Sequence, residues 1–321
     1  MLSLFNIDYL NVNKMIREFT SKAGLQGEIS FVCIYRSANF EHERQVFKVS
    51  VGDKLFAMKV DRFGAKSGRL TSEFAVLQGL HQHFQKYDKQ AIPAPVYLSE
   101  SGEFFVVEFI DNRTATVAIK TAKNIKAAGQ IYRRVGAWLH AFHQYGNITE
   151  ARIYPNWMFE ALDVSIQNGP HAPPEQYRPM ITQLREEADQ LKERRDTKVL
   201  CHGDFHASNV IMGQGVTYGF DFTEVTEKLA LYDIVDFLKV DIFRTGVLSD
   251  VDRSGVTRQS KAMFFKLYRH PIDLDLLDFC LRGRLLKDWI FITSERHFKS
   301  DFQKNKFLRL EERLNIAFAQ H

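Results

Sequence analysis

Val199-Leu200-Cys201-His202-Gly203-Asp204-Phe205-His206-Ala207-Ser208-Asn209-Val210-Ile211-Met212 is the stretch on which the reading of this chain turns. Apolar runs flank a polar loop, the pattern of strand, loop, strand. A third apolar run, Val216 to Phe220, follows soon after. The loop holds His202, Asp204 and Asn209 in the spacing H-x-D-x-x-x-x-N, and a further acid, Asp221, closes the next strand in Gly219-Phe220-Asp221-Phe222. Three readings compete. Asp and Asn cap turns by bonding their own backbone, which accounts for Asp204 and Asn209 but not for Asp221. His202-x-Asp204-x-His206 with Asp221 offers imidazole and carboxylate ligands to zinc or iron; that reading leaves Asn209 unused and explains nothing upstream. The third divides the labour. One carboxylate meets an acceptor hydroxyl as a base, while an amide and a second carboxylate converge on a magnesium that bridges nucleotide phosphates. It gives Asp204, Asn209 and Asp221 each a task.

With Asp221 after it, the loop is similar to a kinase catalytic loop followed by its metal-binding Asp. The run His-Gly-Asp-Phe-His-Ala-Ser-Asn, 202 to 209, resembles the Brenner motif of the aminoglycoside phosphotransferase and choline kinase superfamily. Gly203 stands where most protein kinases place Arg. The resemblance spans Ser30 to about Leu238 and implies an α+β, bilobal protein-kinase-like fold with a small antiparallel-sheet N-lobe and a larger, mostly helical C-lobe. It implies Asp204 as catalytic base, Asn209 and Asp221 as ligands of Mg2+, and His202 as the residue that orients the loop.

Composition agrees with a folded enzyme. The chain has 321 residues, 45% hydrophobic and 26% charged, with 27 Phe; this is enough apolar material for one large domain or two lobes. A net charge of +4 with scattered basic residues offers no concentrated face for nucleic acid. Cys33, Cys201 and Cys280 are far apart and in apolar contexts, neither a disulfide framework nor zinc spacing, so they read as buried thiols of a reducing compartment. Asn6 and Asp8 interrupt the N-terminus before a secretory apolar core forms, and no stretch approaches a membrane span. A cytoplasmic location follows.

Upstream of the loop, residues 8 to 23 read as an amphipathic helix with Leu10, Ile16 and Phe19 on its apolar side, stopped by Gly24. Ser30–Ile34, Val46–Val51 and Leu55–Val60 then form an antiparallel meander. Lys59 ends its third strand. A kinase Lys in that place contacts α- and β-phosphates and is held by a Glu of the next helix, here Glu73 in the periodic segment Arg69–Tyr87. A solvated Lys and a first-turn acid favoured by the helix dipole are the ordinary alternatives. The turn from Tyr35 to Glu43 contains no glycine to bring backbone N–H groups onto phosphate oxygens; Ser37 and Asn39 are the replacement donors. Pro93 and Pro95 precede a fourth strand, 96–98, and a fifth, Phe104–Ile110. Its end, Glu108-Phe109-Ile110, is the expected hinge, offering backbone groups to an adenine of ATP, with GTP the alternative. Asp111-Asn112 marks the lobe boundary, giving lobes 1–111 and 112–321.

Beyond the boundary, Thr114–Tyr145 reads as helical with Val135, Trp138, Leu139 and Phe142 in its core stripe. His140 and His143 read as core or surface residues rather than ligands, since no partner acid shares their spacing. Residues 147 to 175, with four of the eight prolines, read as an irregular insertion. Tyr154 and Trp157 within it, together with Glu224, are candidates to bind the acceptor, the aromatics by stacking or by surrounding an amine. A charged helix, 175–195, leads back to the loop; Asp233, on a helix over 229–240, resembles the family's structural Asp that ties that helix to the catalytic loop. Only a few residues separate Phe222 from this helix, too few for the activation segment on which protein kinases seat a peptide. From about Val256 onward the chain reads as helical. The expected activity is transfer of a γ-phosphoryl group to a hydroxyl of an aminoglycoside-, choline- or sugar-like molecule. A protein kinase and a catalytically silent nucleotide-binding scaffold are the rivals.

Overall fold

The computed structural model describes residues 9–37, 44–62, 65–244, 247–292, 298 and 300–319. The chain divides into two compact units, residues 1–112 with 213–223, and 113–212 with 224–321. The stretch 213–223, which the sequence reading left with the larger lobe, thus folds with the first unit.

In the first unit, helix α1 (Tyr9–Lys22) precedes strands β1 (Ile29–Arg36), β2 (Arg44–Val51) and β3 (Lys54–Asp61), helix α2 (Arg69–Phe84), and strands β4 (Gln90–Ala91), β5 (Pro95–Leu98) and β6 (Phe104–Glu108). Five of these strands form an antiparallel sheet in the order β1-β2-β3-β6-β5. Successive side chains on a strand point to opposite faces, and that period sorts the residues. Phe47, Val49, Phe56, Met58 and Val60 turn to one face, where Val12, Met15, Ile16 and Phe19 of α1 cover them. Lys59, between Met58 and Val60, projects from the other face. The sequence had placed Leu10 on the buried stripe of α1; it is 80% exposed, the stripe instead beginning at Val12.

The second unit begins with α3 (Ala115–Lys120), α4 (Ile125–His143), β7 (Thr149–Arg152), α5 (Asn156–Gln167), α6 (Pro174–Leu191), β8 (Arg195–Cys201) and β9 (Val210–Met212). The first unit then takes β10 (Thr217–Gly219), parallel to β4. β11 (Thr226–Leu229), α7 (Leu231–Leu238), α8 (Arg258–Phe265), α9 (Leu274–Ile290) and α10 (Asp301–Ala317) complete the second unit. Its sheet is antiparallel, β11-β8-β7. No helix among the described residues is long and apolar enough to cross a membrane.

Three expectations need correction. The segment 147–175 is not irregular: it holds β7 and the three-turn helix α5, whose buried Met158, Phe159, Leu162 and Ser165 follow helical spacing. Pro155 stands at the helix start, where proline's missing N–H costs nothing, so the prolines frame the helix rather than break it. Residues 226–229, assigned partly to the following helix, form a strand because Thr226 to Leu229 pair with Cys201 to Lys198. The region 114–145 is two helices, α4 starting anew where the Asn124 side chain accepts from the Ala127 N–H.

Candidate active site

The first unit gathers a charged cluster around Lys59. Its ammonium donates to both Glu73 oxygens, Oε1 at 2.8 Å and Oε2 at 2.9 Å, to Asp221 Oδ1 at 2.6 Å and to Thr223 Oγ1 at 2.9 Å. Thr223 in turn donates to Asp221 Oδ1 at 2.7 Å. Glu73 is 4% exposed among the apolar residues of α2, Leu70, Phe74 and Leu77. A carboxylate on an apolar face is stable only when paired, and Lys59 is that pair. Burial works against the charge on Lys59, but Glu73 and Asp221 outweigh it and hold its pKa above the ordinary lysine value. The ammonium persists at neutral pH. Asp221 has φ +68°, the one non-glycine residue among those described in the left-handed region, a strain that short polar residues bear at functional turns.

The remaining nucleotide-side candidates are dispersed. Ser37 donates its N–H to Arg44 O at 3.0 Å, closing the β1–β2 connection; Asn39 lies outside the described residues. Glu108 is exposed at the end of β6 and its N–H donates to Ala94 O at 2.9 Å, while Ile110 O accepts from the Asn112 N–H at 2.9 Å.

In the second unit the loop after β8 is held from below. Asp233, 1% exposed on α7, accepts the backbone N–H of His202 at 2.7 Å on Oδ2 and that of Gly203 at 3.0 Å on Oδ1. Burial pushes the Asp233 carboxyl up, yet the bond from His143, the charges of His143 and His202 and the His202 N–H together bring it below the usual aspartate value. His143 was expected to lack an acidic partner; its Nε2 lies 3.0 Å from Asp233 Oδ2, and Nδ1 lies 2.9 Å from the Tyr268 hydroxyl. The partner is distant in sequence, which is why spacing on one helix did not reveal it. Gly203 has φ +83°, and a Cβ there would stand 2.1 Å from the carbonyl oxygen of Glu224, so only glycine fits. Phe205 is fully buried and stacks on Trp138 at 5.4 Å between ring centroids.

Above this support, Asp204 and Asn209 are half-buried. The Asn209 amide donates to Asp204 O at 2.9 Å and Oδ2 at 3.3 Å, and His206 Nε2 approaches Asp204 Oδ1 at 2.8 Å. His202 itself is buried between Phe142 and Phe205, with ring centroids 6.1 and 5.6 Å away. The transition-metal reading of His202, Asp204 and His206 gains no support: the ligand atoms that cluster among the described residues belong to His143, Cys201 and Asp233. That cluster is the hydrogen-bonded floor of the loop, with the Cys201 thiol directed at Leu229 O, 3.4 Å away.

Of the acceptor candidates, Tyr154 is 72% exposed and Glu224 is exposed. Trp157 is half-buried, its indole N–H donating to the Tyr232 hydroxyl at 3.2 Å and its ring under the Arg284 guanidinium at 5.2 Å. Sequence reasoning missed Thr223 as a partner of Lys59; the one hint was a threonine two residues past Asp221 where a protein kinase has glycine.

A lysine–glutamate pair on an antiparallel sheet and its helix, with an aspartate-bearing loop on a helical unit, defines a kinase-like phosphotransferase. Residues 36–259 match the model of the phosphotransferase enzyme family, and the chain belongs to that family. Among solved structures the fold is similar to spectinomycin phosphotransferase APH(9)-Ia in complex with ADP and spectinomycin, with TM-score 0.62, 16% identity, and 96% of this chain and 97% of that one covered. It is likewise similar to the GDP complex of aminoglycoside 2'-phosphotransferase-IIIa, with TM-score 0.62, 15% identity and coverage of 97% and 100%. A choline/ethanolamine kinase family protein from Mesorhizobium loti gives TM-score 0.57, 13% identity and coverage of 94% of each chain. No curated protein sequence matches this chain.

Proposed function

We propose that this phosphotransferase moves the γ-phosphoryl group of ATP, with GTP as the alternative donor, to a hydroxyl of an aminoglycoside-, choline- or sugar-like small molecule. The observation that carries the reading is the contact of one half-buried ammonium, Lys59, with Glu73, Asp221 and Thr223. Glu73 fixes the ammonium where α- and β-phosphates would sit, and Asp221 and Asn209 present the hard oxygens that Mg2+ prefers. Magnesium bound with the nucleotide supplies neutralisation of phosphate charge. Asp204 accepts the proton of the acceptor hydroxyl, its carboxylate steadied by the Asn209 amide and by His206. His202 and Gly203, anchored on Asp233, set its position. Most of the acceleration then comes from positioning and electrostatics rather than covalent chemistry.

A small acceptor is favoured over a peptide because the chain after Asp221 pairs at once as β11 with β8, leaving no long segment to seat a polypeptide. We assign Tyr154, Trp157 and Glu224 to the acceptor and place the reaction in the cytoplasm, where nucleoside triphosphates are supplied. The test is an ADP- or GDP-release screen with magnesium across aminoglycosides, choline, ethanolamine and amino sugars. Release that depends on one such compound is expected. Release with peptides alone would establish the protein-kinase reading, and a protein that binds nucleotide but turns over nothing would be the silent scaffold.

A further inference from the structure

The missing glycine-rich turn leaves a question that the first unit answers. Beside Lys59 lies a cavity of about 130 Å³, lined also by Asp221, Thr223, Arg44, Asp61 and Arg69. By that measure one water needs about 10–15 Å³, so the space takes several waters and is enough for a phosphoryl group. Arg44 opens β2 directly across from Asp61, which closes β3. Its Nε lies 3.1 Å from Asp61 Oδ2, and Arg69, the first residue of α2, brings a guanidinium nitrogen within 3.6 Å of the same oxygen. One carboxylate thus holds two guanidinium groups side by side. The carboxylate side chain is 5% exposed whereas Arg44 and Arg69 retain 28% and 32%, so the side chains within reach of a ligand at this end of the cavity are the two arginines, with Asp61 behind them.

We infer that Arg44 and Arg69 bind the outermost phosphate of the nucleoside triphosphate, doing with two guanidinium forks what backbone N–H groups of a glycine-rich turn do elsewhere. The inference rests on the phosphotransferase reading above, in which Lys59 meets the inner phosphates; the cavity that Lys59 lines continues to the arginine pair. Guanidinium forks match phosphate oxygens bidentately, and Asp61 fixes both at the orientation required. Asp61 is therefore a positioning residue, and the pair confers preference for triphosphate over diphosphate.

Titration calorimetry with magnesium tests this, using the β,γ-imido analogue of ATP, then ADP and AMP, on wild type, Arg44→Ala, Arg69→Ala and Arg44→Lys. Each alanine variant is expected to lose about tenfold or more in affinity for the triphosphate analogue. ADP affinity should change less than about threefold and AMP affinity not at all, while Arg44→Lys falls between wild type and alanine. If Arg44→Ala proves unstable, Arg69→Gln, at the longer contact, carries the same comparison. Equal losses for ADP and the triphosphate, or none for either, overturn the inference while leaving the phosphotransferase reading intact. Absence of binding of ATP and GTP analogues by wild type overturns that reading, and this inference with it.

Discussion

Replacing Asp233 by Asn tests whether the catalytic loop is built from its floor upward. The substitution keeps the shape and removes the charge. Asp233 accepts three donors, the N–H groups of His202 and Gly203 at 2.7 and 3.0 Å and His143 Nε2 at 3.0 Å. Hydrogen bonds to a charged group exceed neutral ones by about 1 kcal/mol each, so three lost charge-assisted bonds cost roughly 3 kcal/mol. Both carboxylate oxygens receive a backbone donor, so the amide nitrogen of Asn must face an N–H whichever way it turns. One buried donor left unsatisfied adds about 1–3 kcal/mol. A total of about 4–6 kcal/mol is a large part of the 5–15 kcal/mol by which proteins are commonly stable. At about 2–4 °C per kcal/mol for a unit of this size, Tm falls by roughly 10–20 °C.

Activity should fall further than stability at temperatures where the variant is folded. Gly203 precedes Asp204 directly, and a displacement of about 1 Å at a reacting group costs about a hundredfold in rate. Melting by circular dichroism and kcat by ADP release are the two assays, and nucleotide affinity, which the proposal assigns to the first unit, is the control. A variant that melts within about 2 °C of wild type would refute the assignment of Asp233 as the loop's anchor, as would wild-type turnover.

Two further predictions are independent of that one. Asp204→Asn should lower kcat by about a hundredfold or more, as removal of a general base does, while calorimetry finds magnesium–nucleotide affinity nearly unchanged; near-native turnover would remove Asp204 from the proposed role. Burial pushes the Asp196 carboxyl up to about 6, and the sign of its effect on stability follows. The unfolded chain gives up that proton near pH 4, before the folded one, so stability falls between about pH 4 and 6 and the loss is complete above. The shift corresponds to about 1–2 kcal/mol once solvent screening is allowed for. Asp196→Asn should therefore show a smaller loss of stability between about pH 4 and pH 7 than wild type in urea unfolding, and an unchanged difference would contradict the assignment.

What the sequence discloses and what it hides divides along the range of the forces involved. The meander, α2 and the C-terminal end of β8 were legible because strand alternation and helical spacing are local, and Phe47, Val49, Leu77 and Leu80 fall where a two- or near-four-residue period puts them; the start of β8 at Arg195 was not, being read as the end of a charged helix. Glu73 was legible only through the resemblance, since nothing local separates a buried acid from a first-turn surface acid; its apolar neighbours on α2 reveal the difference once the helix is seen end on. α5 escapes a reading by composition because prolines suggest broken structure, whereas Pro155 stands at the start of the helix, where proline is accommodated. β11 was missed because its residues, Thr226 to Leu229, carry no alternation strong enough to mark a strand, and their state is decided by β8, whose edge they complete.

The floor of the loop is the extreme case. His143, Asp233 and Tyr268 come from α4, α7 and the segment after α8, and no window of sequence contains two of them. Asp233 could be picked out from the resemblance, but His143 could not, because a histidine on an apolar helical face is most often core. In the structure it is core and a support of the loop at once: with Nε2 turned to Asp233, Nδ1 is left to meet the Tyr268 hydroxyl. Such a chain of bonds is worth keeping buried only if its far end must not move. That far end is the pair of N–H groups at His202 and Gly203, one of them on a residue that tolerates no side chain. The rigidity is concentrated immediately before Asp204, while Asp204 and Asn209 above it stay half-exposed. This is the distribution expected where one carboxylate must be held in place and still be reached by a substrate.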